Sequence, residues 1–222
     1  MPISGRATQL TLSEAYPDRF LLGLGVSHAR LVEGIRGHQY QRPLTAMRRY
    51  LDGMDEAAYA YRAAKPVAPP PRVLAALGPR MLALAAERAR GAHPYLVTPD
   101  YTAKARSTLG PGRWLLPEQA VVLETNPDQA RAIARRHISR YLDLPNYTNH
   151  WRRLGFTHDD FVGQGSDRLV DALVAWGDMG AVRERVQDHL DAGADHVCIQ
   201  VFDAEPHDLP LRQWRTLAIA ML

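Results

Sequence analysis

The chain has 222 residues, 46% hydrophobic and 23% charged, the balance of a soluble globular protein long enough to bury a proper core. Its formal net charge is only +3, with basic residues spread along the chain, which speaks against nucleic-acid binding. No run of about 18 apolar residues exists to span a membrane, and the first residues lack the apolar core of a signal peptide, so the cytoplasm is the expected location.

In chain order, Thr8–Tyr16 reads as a short helix and Phe20–Val26 as a buried strand. A loop with Gly34, Gly37 and Tyr40 leads to Pro43, a good first helical residue. Leu44, Met47, Leu51, Met54 and Ala58 then form an amphipathic stripe. The proline-rich stretch Lys65–Pro71 is a connector. Arg72–Leu77 reads as a strand, broken by Gly78-Pro79, which opens a helix to about Arg90. His93–Val97 is a third strand, followed by a helix over Pro99–Leu109. Ala120–Glu124 is a fourth, and Thr125-Asn126-Pro127 starts a helix to about Leu142 with Ala130, Ala134, Ile138 and Tyr141 inward. From about 145 to 178 the alternation lapses into an aromatic helical insertion. Asp178 caps a helix to about Asp191, Asp195–Val201 is the last strand, and Leu209–Leu222 a closing helix. Five strands, most followed by helices, argue for a parallel α/β sheet or barrel in one domain spanning 1–222. An eight-stranded barrel takes about 250 residues, so an open or truncated version is expected.

Three segments carry candidate chemistry. Gly23 and Gly25 are two apart and share one strand face, leaving bare backbone that a planar ligand can approach, with Ser27 and His28 at the carboxyl end. The alternative is a tight strand with a surface histidine. As an imidazole, His28 suits proton transfer near neutrality. Ala76, Gly78, Pro79, Arg80 and Met81 run from a strand directly into a helix, whose first turn offers free N–H groups to an anion. The same pattern also makes an ordinary strand-to-helix turn. Tyr95 and Thr98 end the next strand, Thr98 as a helix cap or as a hydroxyl donor to phosphate. In the insertion, Tyr147 and Trp151 belong to a substrate lid or to a packed satellite cluster. The single cysteine, Cys198, reads as a packed strand residue. The nine histidines form no His-Glu-x-x-His and no cysteine pair is available, so no metal site is expected.

The segments Arg-Phe-Leu-Leu-Gly-Leu-Gly-Val-Ser-His, Arg-Pro-Leu-Thr-Ala-Met-Arg-Arg-Tyr-Leu-Asp and Ala-Ala-Leu-Gly-Pro-Arg-Met-Leu together resemble the luciferase-like monooxygenase superfamily. So do Gly-Ala-His-Pro-Tyr-Leu-Val-Thr-Pro and Leu-Asp-Ala-Gly-Ala-Asp-His-Val-Cys, and the likeness is strongest to its coenzyme F-420-dependent oxidoreductase branch. The resemblance implies a (β/α)8 TIM barrel of which strands four to eight are present and the first three βα units are not. It further implies hydride transfer between coenzyme F-420 and a small organic substrate, the ring lying over Gly23 and Gly25, the phosphate-bearing tail at Gly78, Pro79, Arg80 and Met81, and His28 handling the proton. Alternatives are an FMN-dependent monooxygenase, and a truncated non-catalytic subunit that completes itself as a homo-oligomer, a dimer in the simplest case.

Overall fold

The computed structural model describes residues 2–57, 70–205 and 209–221. It divides into two compact units, residues 1–93 and 94–222. Ala58 and most of the proline connector lie outside the described residues.

In the first unit, helix α1 (Pro2–Ala15) begins six residues before the expected start. Its buried Gln9 donates its side-chain amide to the Pro70 carbonyl at 2.7 Å. Strand β1 (Leu22–Leu24) keeps only the centre of its predicted run. A short helix α2 (Ala29–Gly34), unsignalled in the sequence, follows at once. Helix α3 (Pro43–Glu56) buries Met47, Leu51 and Met54, the expected stripe. Strand β2 (Arg72–Leu74), helix α4 (Pro79–Arg88) and strand β3 (Gly91–Ala92) complete the unit. The strands are parallel, β1 beside β2 with Leu24 opposite Leu74, and β2 beside β3 with Leu74 opposite Ala92. Parallel strands need a crossover between them. Helix α4 is the crossover from β2 to β3, and its Leu82, Leu84 and Ala85 are buried.

The second unit begins with the finding that the predicted strand His93–Val97 is not one. The strand ends at Ala92, and Leu96 takes a left-handed backbone, φ +52°, which no strand accommodates. Helix α5 (Pro99–Leu109), strand β4 (Trp114–Leu115), strand β5 (Glu118–Val122) and helix α6 (Pro127–Ile138) follow. The insertion resolves into helix α7 (Pro145–Arg153), a 3-10 turn at His158–Phe161 and helix α8 (Asp167–Leu173). Its last residues correct the expected boundary: Val174–Trp176 is a strand, β6. Helix α9 (Met179–Asp191), strand β7 (Cys198–Val201) and helix α10 (Leu211–Met221) close the unit. The expected cap at Asp178 forms, accepting the Ala181 amide, and the expected helix start at Thr125-Asn126-Pro127 is capped by Asn126, which accepts the Asp128 and Gln129 amides.

Strand β5 lies between β6 and β7, parallel to both. Among the described residues the strand pairing closes no ring. All five β5 residues are buried, as expected of a parallel strand covered on both faces. Val121 packs with Val182 of α9, Val201 and Leu217 of α10. Gln119 lies on that same face, hydrogen-bonded to His189, which also meets Thr102 at 2.8 Å. Side chains alternate along a strand, so Glu118 and Ala120 occupy the other face. Gln200, the register partner of Ala120, joins them there.

One arginine ties the amino ends of β4 and β7. Arg106 donates to the carbonyls of Gly193, Gly110 and Arg113 and pairs with Asp195. The same Asp195 carboxylate accepts the Leu115 amide, while the Asp195 amide donates to the Leu115 carbonyl. Gly193 is required beside it: φ is +96°, and a Cβ there would stand 2.9 Å from the arginine stem.

Candidate functional site

Two of the three predicted segments meet at one end of the first sheet. Gly25 directly follows β1 and Gly78 follows β2, and the two strands are adjacent and parallel, so both glycines sit at carboxyl ends, where open α/β sheets hold ligands. A Cβ built on Gly23 or Gly78 would meet nothing within 4 Å, and one on Gly25 would meet only the Ala75 Cβ, at 3.3 Å. Gly23 and Gly25 are exposed. The bare strip of backbone is therefore present and open.

Beyond Gly25 the chain turns through Ser27, whose φ of +61° is left-handed. A non-glycine residue there costs about 1–3 kcal/mol, strain that tends to gather at functional sites. The turn sets His28 as the residue before α2, half-buried, its carbonyl accepting the Leu31 and Val32 amides. The imidazole makes no capping bond.

Beside Gly78 lies a pocket of about 490 Å³ lined by Arg42, Pro43, Leu44, Thr45, Gly78, Arg80 and Met81. It is built from two helix starts of one design. Both α3 and α4 begin with proline, and neither the preceding Arg42 nor the preceding Gly78 caps its helix with a side chain. Two first turns thus bring the positive ends of two helix dipoles to one hollow. Arg42 is itself left-handed, φ +46°. Neither Arg42 nor Arg80 has an ion-pair partner among the described residues. Ala76 is different: its side chain is buried. The contribution of Arg42, Leu44 and Thr45 escaped the sequence reading. Their signal was the Arg-Pro start of α3, which repeats the pattern of Gly78-Pro79.

The remaining candidates belong to the second unit, most of them in or beside a partly buried polar cluster. Trp151 is fully buried, and its indole N–H donates to the Leu96 carbonyl at 3.1 Å. Tyr147 is buried against Tyr141 and Trp151, ring centroids 4.7 and 5.6 Å away. Of the two readings of the insertion, these two side chains follow the packed cluster. Thr98 caps α5, its hydroxyl oxygen accepting the Tyr101 amide at 3.3 Å. Tyr95 is half-buried; its hydroxyl donates to Gln200 Oε1 at 2.6 Å and lies 2.9 Å from His137 Nε2. Burial raises the Tyr95 and Tyr147 hydroxyls well above the usual phenol range, so both stay protonated.

Three further groups of this cluster, Glu118, His137 and Gln200, were not foreseen. Glu118 is 4% exposed, and its Oε2 accepts the Leu96 amide at 3.1 Å while Oε1 meets no partner among the described residues. Burial pushes its carboxyl up to about 7, partly opposed by that amide. Burial lowers His137 to about 4, and its ring stacks on Phe202 with centroids 4.0 Å apart. Cys198, half-buried on β7, is held above the ordinary thiol range by burial and by Glu118, against the thiolate a nucleophile needs. No three described His, Cys, Asp or Glu residues are grouped to hold a metal, and no described helix is long and apolar enough to cross a membrane.

A parallel α/β chain whose ligand-facing features cluster at strand ends belongs to a large class. Here the class resolves further, because the family profile described as luciferase-like monooxygenase matches residues 2–196. The chain belongs to the luciferase-like monooxygenase family. It is 26% identical to a Mycobacterium tuberculosis H37Rv protein named as a coenzyme F-420-dependent oxidoreductase, over 92% of this chain and 76% of that one. Its fold matches that of an F-420-dependent secondary alcohol dehydrogenase solved with an F-420–acetone adduct, with TM-score 0.68, 14% identity and coverage of 90% of this chain and 69% of that one. It also matches the coenzyme F-420-dependent tetrahydromethanopterin reductase of Methanopyrus kandleri, with TM-score 0.66, 16% identity and coverage of 90% and 73%.

Proposed function

We propose that this protein is an oxidoreductase that binds coenzyme F-420 on its first unit and serves hydride transfer to or from a small organic molecule. The observation that carries the reading is the placing of exposed Gly25 and of Gly78 at the carboxyl ends of neighbouring parallel strands, beside a hollow formed by two proline-headed helix starts. The curated mycobacterial relative supports the choice of cofactor. The residues fit such a group chemically: an exposed backbone strip accepts a flat ring, and two helix starts with Arg42 and Arg80 accept an anionic tail. When bound, the deazaflavin supplies the two-electron hydride chemistry; the protein's share is binding, orientation and proton handling. Gly23 and Gly25 provide the flat contact, Arg80 and Arg42 the counter-charge, and His28 gives or takes the proton that accompanies the hydride, at its imidazole nitrogen.

The test is fluorescence titration with F-420 and, separately, FMN. We expect F-420 to bind with micromolar affinity and Arg80→Ala to raise its Kd about tenfold, the loss of one charge-assisted contact of roughly 1.4 kcal/mol. His28→Ala should cut turnover while leaving that Kd within about twofold, since proton transfer contributes on the order of 100-fold or more. Binding of FMN alone would instead assign the chain to flavin monooxygenation. Strand β1 pairs only with β2 among the described residues and so offers an edge for a second copy. If neither cofactor binds and the protein elutes as a dimer, the reading of a non-catalytic assembly subunit replaces ours.

A further inference from the structure

The topology of the second unit's sheet opens a crevice of its own. From β5 the chain passes through α6, α7 and α8 and returns as β6 on one side of β5; from β6 it passes through α9 and returns as β7 on the other side. Right-handed crossovers that run in opposite directions put their helices on opposite faces of a sheet. They do so here. Arg131 of α6 stands over the ring of Trp176, 5.3 Å from its centroid, and Trp176 is the register partner of Val122. On the other face, Val182 of α9 and Leu217 of α10 pack with Val121 and Val201. The helices that follow the neighbouring strands β5 and β7 therefore leave to opposite faces, and a gap opens between the two carboxyl ends. Open α/β sheets bind ligands at this switch point.

The gap is a hollow of about 290 Å³ that lies wholly within the second unit. Its apolar wall is Leu123 beyond β5, Ile133 of α6 and Phe202 beyond β7. Two guanidiniums line it, Arg136 from α6 and Arg212 from α10, and neither has an ion-pair partner among the described residues. Arg136 is anchored: its Nη2 donates to the Asp203 and Ala204 carbonyls at 3.0 and 2.9 Å, bonds that leave its charge uncompensated. The Asp203 carboxylate is engaged elsewhere, by the Ala204 amide and the Gln213 side chain, and reaches no described arginine at ion-pair distance. Glu124 supplies the opposite charge. It is half-buried, its Oε1 accepts the Asn126 amide at 2.8 Å, and its other oxygen has no partner among the described residues.

We propose that this hollow binds a small α-amino acid with an apolar side chain, its carboxylate held by Arg136 and Arg212, its ammonium by the second oxygen of Glu124, and its side chain against Leu123, Ile133 and Phe202. Uncompensated guanidiniums and a half-used carboxylate in one hollow match a ligand that carries both signs. A plain anion would face Glu124, and a plain cation would face the two arginines. The volume stands at the small end for ligand pockets, room for an amino acid and too little for a nucleotide. The site is separate from the cofactor reading, which concerns the first unit, and does not draw on it.

The test is isothermal titration calorimetry of the whole chain with L-leucine, with 4-methylpentanoate, which lacks the ammonium, and with 3-methylbutylamine, which lacks the carboxylate. L-Leucine is expected to bind with a Kd below about 1 mM, and each of the other two at least tenfold more weakly. Arg212→Gln and Glu124→Gln should each weaken L-leucine at least tenfold. Neither is expected to disturb the fold, because Arg212 is exposed and a glutamine at 124 still accepts the Asn126 amide. Ala132→Trp, on the exposed rim of the hollow, leaves every charge in place and should abolish binding by filling the space. No binding of L-leucine at about 10 mM, an unchanged Kd in Ala132→Trp, or 4-methylpentanoate binding as tightly as L-leucine would each overturn the proposal.

Discussion

Each unit holds a non-glycine residue in the left-handed region beyond the carboxyl end of a strand, and the two are supported in opposite ways. Ser27, beyond β1, is half-exposed, with no hydrogen bond of its own among the described residues. Leu96, beyond β3, is sealed in the core with both peptide groups bound by buried side chains. The first arrangement leaves backbone and charge open to a ligand. The second spends a carboxylate and an indole on holding the peptide groups of one residue. An open backbone strip leaves room for a ligand, whereas a turn sealed by buried side chains holds its neighbours in one arrangement.

The sharpest way to break this contrast is Trp151→Ala. It removes a fully buried ring and the donor to the Leu96 carbonyl, so a loss of about 3–5 kcal/mol is expected in urea denaturation. A loss under 1 kcal/mol would mean that the second unit is not locked by this residue.

Acid should act on the same unit. Burial lowers His137, His150 and His189 each to about 4. A histidine depressed in the folded state gives full stability above its unfolded value near 6.5, and that stability drains away as pH falls from 6.5 towards 4, by roughly 2–3 kcal/mol per residue at most. Glu118 works the other way. Its raised value gives stability that is complete below about 4.5 and lost as pH rises through about 7. Three groups outweigh one, so the melting temperature should drop between pH 7 and pH 4, and Glu118→Gln, which removes the opposing titration, should steepen the drop between pH 7 and 5. A melting temperature that rises on acidification would show that the histidines are not buried neutral.

The smallest effect is expected at Ser27. Ser27→Gly relieves the left-handed strain but frees the unfolded chain, for a net gain below about 1 kcal/mol by thermal melting. A marked loss would show that the serine is held by more than its backbone.

The open site was the more legible of the two. Gly23, Gly25 and Gly78-Pro79 announce themselves in the sequence because glycine and proline report backbone needs directly. The helix starts at Pro43, Pro99 and Pro127 and the caps at Asn126 and Asp178 were readable for the same reason. The locked cluster was not. A buried Glu118 looks in sequence like any acidic residue heading a strand, and its burial follows from what the fold sets around it. His93–Val97 carries the composition of a strand, yet tertiary bonds to Glu118 and Trp151 override that preference at Leu96. Val174–Trp176 was hidden because its aromatic end blended into the helical stretch before it.

The Arg106 knot has a consequence for everything hung on β7. A slip of a single position along β5 would swing Gln200 round to where Val201 packs and expose the valine instead. By lashing Asp195 to Leu115 and to the end of α5, just ahead of the strand, the knot acts as a detent that indexes β7 before its first pairing with β5. The register of the whole strand is thus set by an arginine ahead of its first residue.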